Sequence, residues 1–317
     1  MPRKVISVIT PCFNEEKGII ECYESVRRIF DSELKEYGLE HIFCDNASTD
    51  HTVPMLKELA LRDSRVKIIV NSRNFGILKN TYNGVLSSTG DAILLFLPVD
   101  LQDPPELIPT FVHQWEKGFE IVYGIRAKRE ESFWLATARK AYYRLLSGLT
   151  YVDYPANVGD FQLVDRRVLD AMRRIDDAQP FMRLMTFDCG FRSYGISYTW
   201  RARKYGKSKN NLRHMFSQGW NGLISFSGAP LRAALILGFA VAGLSLLYSI
   251  AVFLLTLFGM VHSQAGIPTL VIALFFFGGV QLFFMGVLGE YIYAIYNQVR
   301  HKPLVVERER VNFDGQQ

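Results

Sequence analysis

Val99-Asp100-Leu101-Gln102-Asp103 closes an apolar run, and Pro104-Pro105 follow it. Asp100 and Gln102 are alternate residues, so at a strand end both can offer oxygens on one face. Two readings stay open from the residues alone. One is a site for a hard divalent cation, built on a single central carboxylate. The other is a polar strand end, in which Asp100 caps a turn and the prolines start a helix. Further polar groups close other apolar runs: Pro11-Cys12-Phe13-Asn14-Glu15, Asp45-Asn46-Ala47-Ser48, and Arg126 with Lys128 and Arg129. Arg139 and Lys140 lie further along. Such a basic cluster suits a phosphate monoester, with arginine giving two-point contacts, or a solvated face against lipid headgroups. Asp160, in "VGDFQLVDRRV", is a turn or cap aspartate, or a group beside a substrate. The six histidines form no ligand constellation, and the four cysteines match no zinc spacing and read as packing thiols.

Elements that alternate must position these residues. Apolar runs at 5–11, 39–45, 66–71, 91–100 and 120–124 read as strands, the fourth being the longest. Amphipathic or capped segments at 16–37, 48–61, 76–88 and 105–117 read as helices between them. This alternation predicts an α/β domain with a mostly parallel sheet buried on both faces. Ligands of such sheets bind beyond the carboxyl ends of the strands, where the polar groups above lie. A dinucleotide oxidoreductase is disfavoured, because the turn after the first strand has no glycine until Gly18.

The chain has 317 residues and a formal charge of +5. No charged residue occurs in Ala233–Val261 or in Ile267–Gly289. Each segment exceeds the roughly 20 residues that a helix needs to cross hydrocarbon, and neither shows a polar face. Two transmembrane helices are expected. Lys204, Lys207, Lys209, Arg213 and Arg232 precede them, Arg300, Lys302, Arg308 and Arg310 follow, and the loop 262–266 has no Lys or Arg. The positive-inside rule then places the first domain and both termini in the cytoplasm and the loop outside. Residues 211–230 mix aromatic and polar residues as an interfacial helix does. Glycines 278, 279, 286 and 289 permit close helix packing, which makes a homo-oligomer an expectation.

In chain order, "TPCFNEE", "DNASTD", "VDLQDPPEL", "VGDFQLVDRRV" and "RKYGKSK" precede the apolar pair. This pattern resembles the family 2 glycosyltransferases with the GT-A fold. More narrowly, it is similar to polyprenyl-phosphate glycosyltransferases of the dolichol-phosphate mannosyltransferase and bacterial GtrB type. The resemblance implies a domain at 1–210, an interfacial helix at 211–230, a hairpin at 231–299 and a cytoplasmic tail at 300–317 in an inner-membrane enzyme. It implies an inverting transfer of a hexose from a UDP- or GDP-sugar to polyprenyl phosphate, with Mg2+ or Mn2+ and no nucleic acid. It places the metal on Asp100 and Gln102, and the nucleotide at Pro11, Asn14, Glu15, Asp45 and Asn46. Lys204 and Lys207 fall in a segment that closes over the donor phosphates, Arg126 and Arg139 on the acceptor phosphate, and Asp160 at the position of a base, with Asp100 the second catalytic residue.

Three positions depart from the family pattern: Pro98 and Asn46 stand where relatives have aspartate, and Gln162 where they often have arginine. The competing expectation is therefore a scaffold that keeps the fold without the chemistry. A processive polysaccharide synthase is disfavoured, since no Q-x-x-R-W occurs.

Overall fold

The computed structural model describes residues 3–128, 158–175, 177–201, 229–258 and 267–313. Two compact units divide the chain: Met1–Arg144, Val152–Asn211 and His301–Gln317 form the first, and Leu145–Tyr151 with Leu212–Arg300 the second.

In chain order the first unit contains β1 (Val5–Cys12), α1 (Ile19–Ser32), β2 (Gly38–Asp45), α2 (Thr52–Arg62), β3 (Val66–Asn71) and α3 (Ile77–Ser87). Next come β4 (Ala92–Leu94), a 3-10 turn (Pro105–Leu107), α4 (Ile108–Glu116), β5 (Ile121–Lys128), β6 (Val158–Asp165), α5 (Arg166–Ile175), α6 (Met182–Asp188) and β7 (Ser193–Thr199). After the second unit the chain returns as β8 (Glu307–Val311). The strands form one sheet in the order β7-β5-β6-β4-β1-β2-β3-β8. Pairs β1–β2, β1–β4, β2–β3 and β5–β7 are parallel; β4–β6, β5–β6 and β3–β8 are antiparallel. This is the expected mostly parallel α/β sheet.

Burial explains the order. Apart from their first residues, β1 and β2 are buried throughout, as strands covered on both faces must be. α1 turns Ile19, Cys22, Tyr23, Val26, Ile29 and Phe30 inward, a three-and-four spacing that makes one apolar stripe. Further along the same core, α4 packs through Phe111 against Phe161 of β6, their rings 4.8 Å apart. Burying a side chain of this size stabilises by about 1.5–3 kcal/mol. His41 belongs to the same core. It bonds Thr10 through Nε2 at 2.9 Å and packs at 4.1 Å on Phe43, and burial pushes its pKa down to about 3.

Three segments differ from expectation. The run 91–100 keeps ladder geometry only over Ala92–Leu94. It continues between β6 and β1 through single bonds, Leu95 N–H to the Gln162 carbonyl and Leu97 N–H to the Ile9 carbonyl. Pro98, which has no N–H, then enters a turn closed by Leu101 N–H on the Pro98 carbonyl at 3.1 Å. The "GDFQL" motif is an antiparallel strand, β6, wedged between β4 and β5. Within the segment expected as a tail, Glu307–Val311 forms the edge strand β8.

The second unit contains α7 (Ala229–Leu257) and α8 (Ile267–Val299). α8 continues past Gly289, where the charge-free stretch ends, to Val299. Large apolar side chains point outward on both helices, among them Phe239 at 72% and Phe276 at 62% exposure. Among the described residues, one stretch, Phe276–Val299, is long and apolar enough to cross a membrane by length and composition. A Cβ added at Gly238, Gly278, Gly279, Gly286 or Gly289 would meet nothing within 4 Å, so these glycines are not close-packing points among the described residues.

Candidate active site

Of the non-glycine residues with left-handed backbone, three lie beyond the carboxyl ends of the central parallel strands: Asn14 at φ 55° after β1, Ala47 at φ 64° after β2 and Leu101 at φ 52° in the turn that follows β4. The conformation costs a residue with a Cβ about 1–2 kcal/mol, and it persists where the surroundings over-determine it. For Asn14 and Ala47 the surroundings are each other's loops. Asn14 N–H donates to Ser48 Oγ, and Thr49 N–H donates back to Asn14 Oδ1, both at 2.8 Å. Glu15 N–H donates to Thr52 Oγ1 at 2.9 Å. The loops after β1 and β2 are thus one stitched rim. Gly18 lets the turn approach: a Cβ there would lie 2.9 Å from Val99 Cγ1 and 3.4 Å from the Val99 carbonyl oxygen.

Asp45 ends β2 fully buried and accepts Ser48 N–H at 2.9 Å. Burial pushes its carboxyl above the ordinary range, with the Ser48 bonds opposing. Asn46 is committed elsewhere. Its Oδ1 accepts from Asn71 and from Phe75 N–H, and its Nδ2 donates to Asn74. Asn71 also donates to Asn80, which donates to the Cys44 carbonyl. This asparagine network fixes the ends of β2 and β3 and the turn before α3.

In the Pro98–Gln102 turn, Gln102 N–H donates to Asp100 Oδ1 at 3.2 Å. The Gln102 amide nitrogen donates to the Arg201 carbonyl at 3.2 Å, which leaves Oε1 as the atom it can offer a ligand. Asp103 does not cap the following helix: Pro104 is the N-cap residue, with no side-chain cap bond. Instead Asp103, 1% exposed, accepts Arg126 Nη2 on both oxygens at 3.2 and 3.1 Å and also the Tyr198 hydroxyl. Arg126 Nε donates to the same hydroxyl at 3.1 Å. Burial alone would lower the Arg126 pKa; Asp103 and Tyr198 outweigh it and keep the guanidinium firmly charged.

Asp160, on β6, is held by Arg183 of α6 through two bonds, Nη2–Oδ2 at 2.6 Å and Nε–Oδ1 at 3.2 Å. Burial works to raise its pKa; Arg183 and then Arg126 overcome this and lower it. Gln162 is fully buried, donating to the Gly159 carbonyl at 3.0 Å and accepting Thr186 Oγ1 at 2.8 Å. Among the described residues, no three His, Cys, Asp or Glu side chains gather as a metal cage. One carboxylate and one amide oxygen suit only an ion that arrives with most of its oxygens, as a magnesium nucleotide does.

The family model of glycosyl transferase family 2 matches residues 7–173. The chain belongs to glycosyl transferase family 2. Among its relatives, the uncharacterized glycosyltransferase YkcC of Bacillus subtilis is 36% identical, with 98% of this chain and 95% of that protein covered. The bactoprenol glucosyl transferase of Shigella phage SfV is 34% identical, with 96% of this chain and 99% of that one covered. A crystal structure of glucosyl-3-phosphoglycerate synthase from Mycobacterium tuberculosis shares the fold. Its TM-score is 0.51 at 22% identity, covering 72% of this chain and 81% of that one.

In this glycosyltransferase the sheet brings together Asn14, Glu15, Asp45, Asp100 and Gln102 along one rim, with Pro11 inside β1. Arg126 sits at the end of β5 and Asp160 at the start of β6. Arg139, Lys204 and Lys207, and residues 211–228 of the expected interfacial helix, lie outside the described residues, while Ala229 and Pro230 open α7. Sequence reasoning missed Arg183, Tyr198 and the asparagine network. Arg183 follows no strand-end pattern, and Asn71 carried a signal only as the last residue of β3.

Proposed function

We propose that this glycosyltransferase moves a hexose, with inversion, from a UDP- or GDP-sugar to polyprenyl phosphate at the cytoplasmic face of a cell membrane. The carrying observation is the strained rim around Asp45 and Asp100 in a chain aligned over nearly its whole length with bactoprenol glucosyl transferases. Asp45 accepts hydrogen bonds from the nucleoside, and Asp100 and Gln102 Oε1 face the diphosphate. A magnesium or manganese ion held there would neutralise the departing diphosphate. The acceptor, a phosphate monoester with a second pKa near 6, is mostly dianionic at pH 7 and attacks without losing a proton to the protein. Asp160, locked by Arg183, orients the acceptor rather than taking its proton. The apolar helices α7 and α8 are read as two crossings, which keeps the first unit beside its lipid acceptor; their outward apolar side chains support this.

The test is transfer from a panel of labelled nucleotide sugars to a short polyprenyl phosphate, with and without a strong chelator, beside the Asp100→Ala variant. Transfer with one donor, abolished by chelation and by the substitution, is expected. No transfer with any donor would favour the scaffold, and transfer indifferent to chelator would remove the metal.

A further inference from the structure

The Asp103–Arg126–Tyr198 cluster is a closed triangle in which every pair is bonded. Its members come from the turn after β4, the end of β5 and the end of β7. The guanidinium is pinned on its faces as well. A Cβ on Gly159 would lie 3.3 Å from Arg126 Nε and 3.4 Å from Cζ, so the glycine is the floor on which the group rests. Trp200 stacks on it with 5.1 Å between Cζ and the ring centre. The Arg126 side chain is only 14% exposed. A phosphate approaching it competes with a carboxylate that has nowhere else to put its charge.

The triangle also connects to the candidate metal turn. Asp103 directly follows Gln102. Gln102 exchanges two hydrogen bonds with Arg201: Arg201 N–H to the Gln102 carbonyl at 3.0 Å, and Gln102 Nε2 to the Arg201 carbonyl at 3.2 Å. Arg201 Nη1 reaches Glu106 at 3.2 Å. Residues 102–106 and 198–201 are therefore fastened at several points. Leu101, in left-handed backbone at φ 52°, keeps that conformation only while its neighbours hold the turn.

We propose that Asp103, Arg126 and Tyr198 are a positioning unit: they fix the Asp100–Gln102 turn against the end of β7, and Arg126 serves the donor half of the site through Asp103 instead of gripping the acceptor phosphate. This rests on the reading that the turn receives a metal–nucleotide. It makes the Asp100–Gln102 turn and the end of β7 one mechanical piece, so that donor binding at Asp100 depends on Arg126.

The experiment uses the full chain in detergent micelles, with Asp103→Asn, Arg126→Lys, Tyr198→Phe and the Asp103→Asn/Arg126→Lys double variant. Binding of Mn2+ in the presence of UDP or GDP is read by electron paramagnetic resonance, and KM is measured for a short polyprenyl phosphate. Hydrogen exchange is followed over residues 98–102 and 198–201. Each single variant is expected to weaken metal–nucleotide binding about tenfold, and the double no further, since contacts within one unit are not additive. Acceptor KM should stay within about twofold, as interactions on the far side of the site are independent. Exchange should quicken at 98–102 and 198–201 and stay unchanged in β1 and β2. Tyr198→Phe removes one hydroxyl and keeps the ring, so it tests the unit where the charge variants fail to fold. Raised acceptor KM in Arg126→Lys with metal–nucleotide binding intact would overturn the proposal. If the unsubstituted protein binds neither nucleotide with Mn2+, the donor reading fails by itself. Exchange then decides the positioning role alone: quickening at the two segments supports it, and unchanged exchange overturns it.

Discussion

An aspartate held by two hydrogen bonds from one arginine makes a poor base. Arg183 keeps Asp160 ionised, and general-base catalysis works best when the pKa lies near the working pH. A carboxyl whose pKa is lowered in the fold stays charged well below neutrality, so it does not titrate between pH 5 and 8. Any rise in rate across that window comes from the acceptor's second ionisation near 6. Asp160→Asn is therefore expected to lower activity several-fold at pH 5.5 and to recover in part by pH 8, following the fraction of dianionic acceptor. A flat, near-zero profile from pH 5.5 to 8 would identify Asp160 as a true base. Asp45 and Asp100 were legible in the sequence because each ends an apolar run. Asp103 was not, because its hydroxyl partner lies 95 residues away and its neighbouring prolines suggest a cap. A contact at that separation leaves no local pattern.

At the scale of elements, β1, β2 and β3 were legible for the same reason that they are buried: continuous apolar runs bounded by polar residues. β8 was not. Its sequence, "ERERV", carries no apolar signal, and its residues alternate between half-buried and exposed. Charge suits an edge strand, which has to resist pairing with other molecules. Its bonds are specific nevertheless. Lys57 meets Glu309 at 2.7 Å, Asn83 donates to Glu307 at 2.6 Å, and Asn312 caps the Ala60 and Val66 carbonyls at 2.9 Å. Deleting residues 305–317 should therefore cost about 3 kcal/mol, from a few net hydrogen bonds of ~1 kcal/mol each, and expose the β3 edge. Thermal unfolding and light scattering in detergent check this; Arg308→Ala, at an exposed position on the strand, is the matched control and should be near neutral. A truncated protein as stable and as dispersed as the full chain would show that β8 is ornamental.

For the whole molecule, the pairing of β8 with β3 constrains how the chain meets a membrane. The described residues up to 201 and from 301 belong to one unit, and Ile68–Asn71 bonds directly to Glu307–Val311. A sheet cannot have strands on opposite sides of a bilayer, because its ladder would have to pass through hydrocarbon. Between β7 and β8 the chain therefore crosses an even number of times. If Phe276–Val299 crosses, a second crossing is required. Among the described residues, the other helix of sufficient length is α7, with 29 residues. The Lys and Arg on both flanks of this insert, and their absence from residues 262–266, then set the direction. With Cys12, Cys22, Cys44 and Cys189 replaced by serine or alanine, Ser263→Cys is expected to react with an impermeant thiol reagent on intact cells. Gln317→Cys should react only after permeabilisation. Reaction at 317 in intact cells would reverse the orientation and overturn the proposed cytoplasmic placement of the first unit. Reaction at neither position before permeabilisation would mean no crossing at all, with α7 and α8 lying on the membrane surface. Both results are compatible with the sheet, so the labelling decides what β8 alone does not.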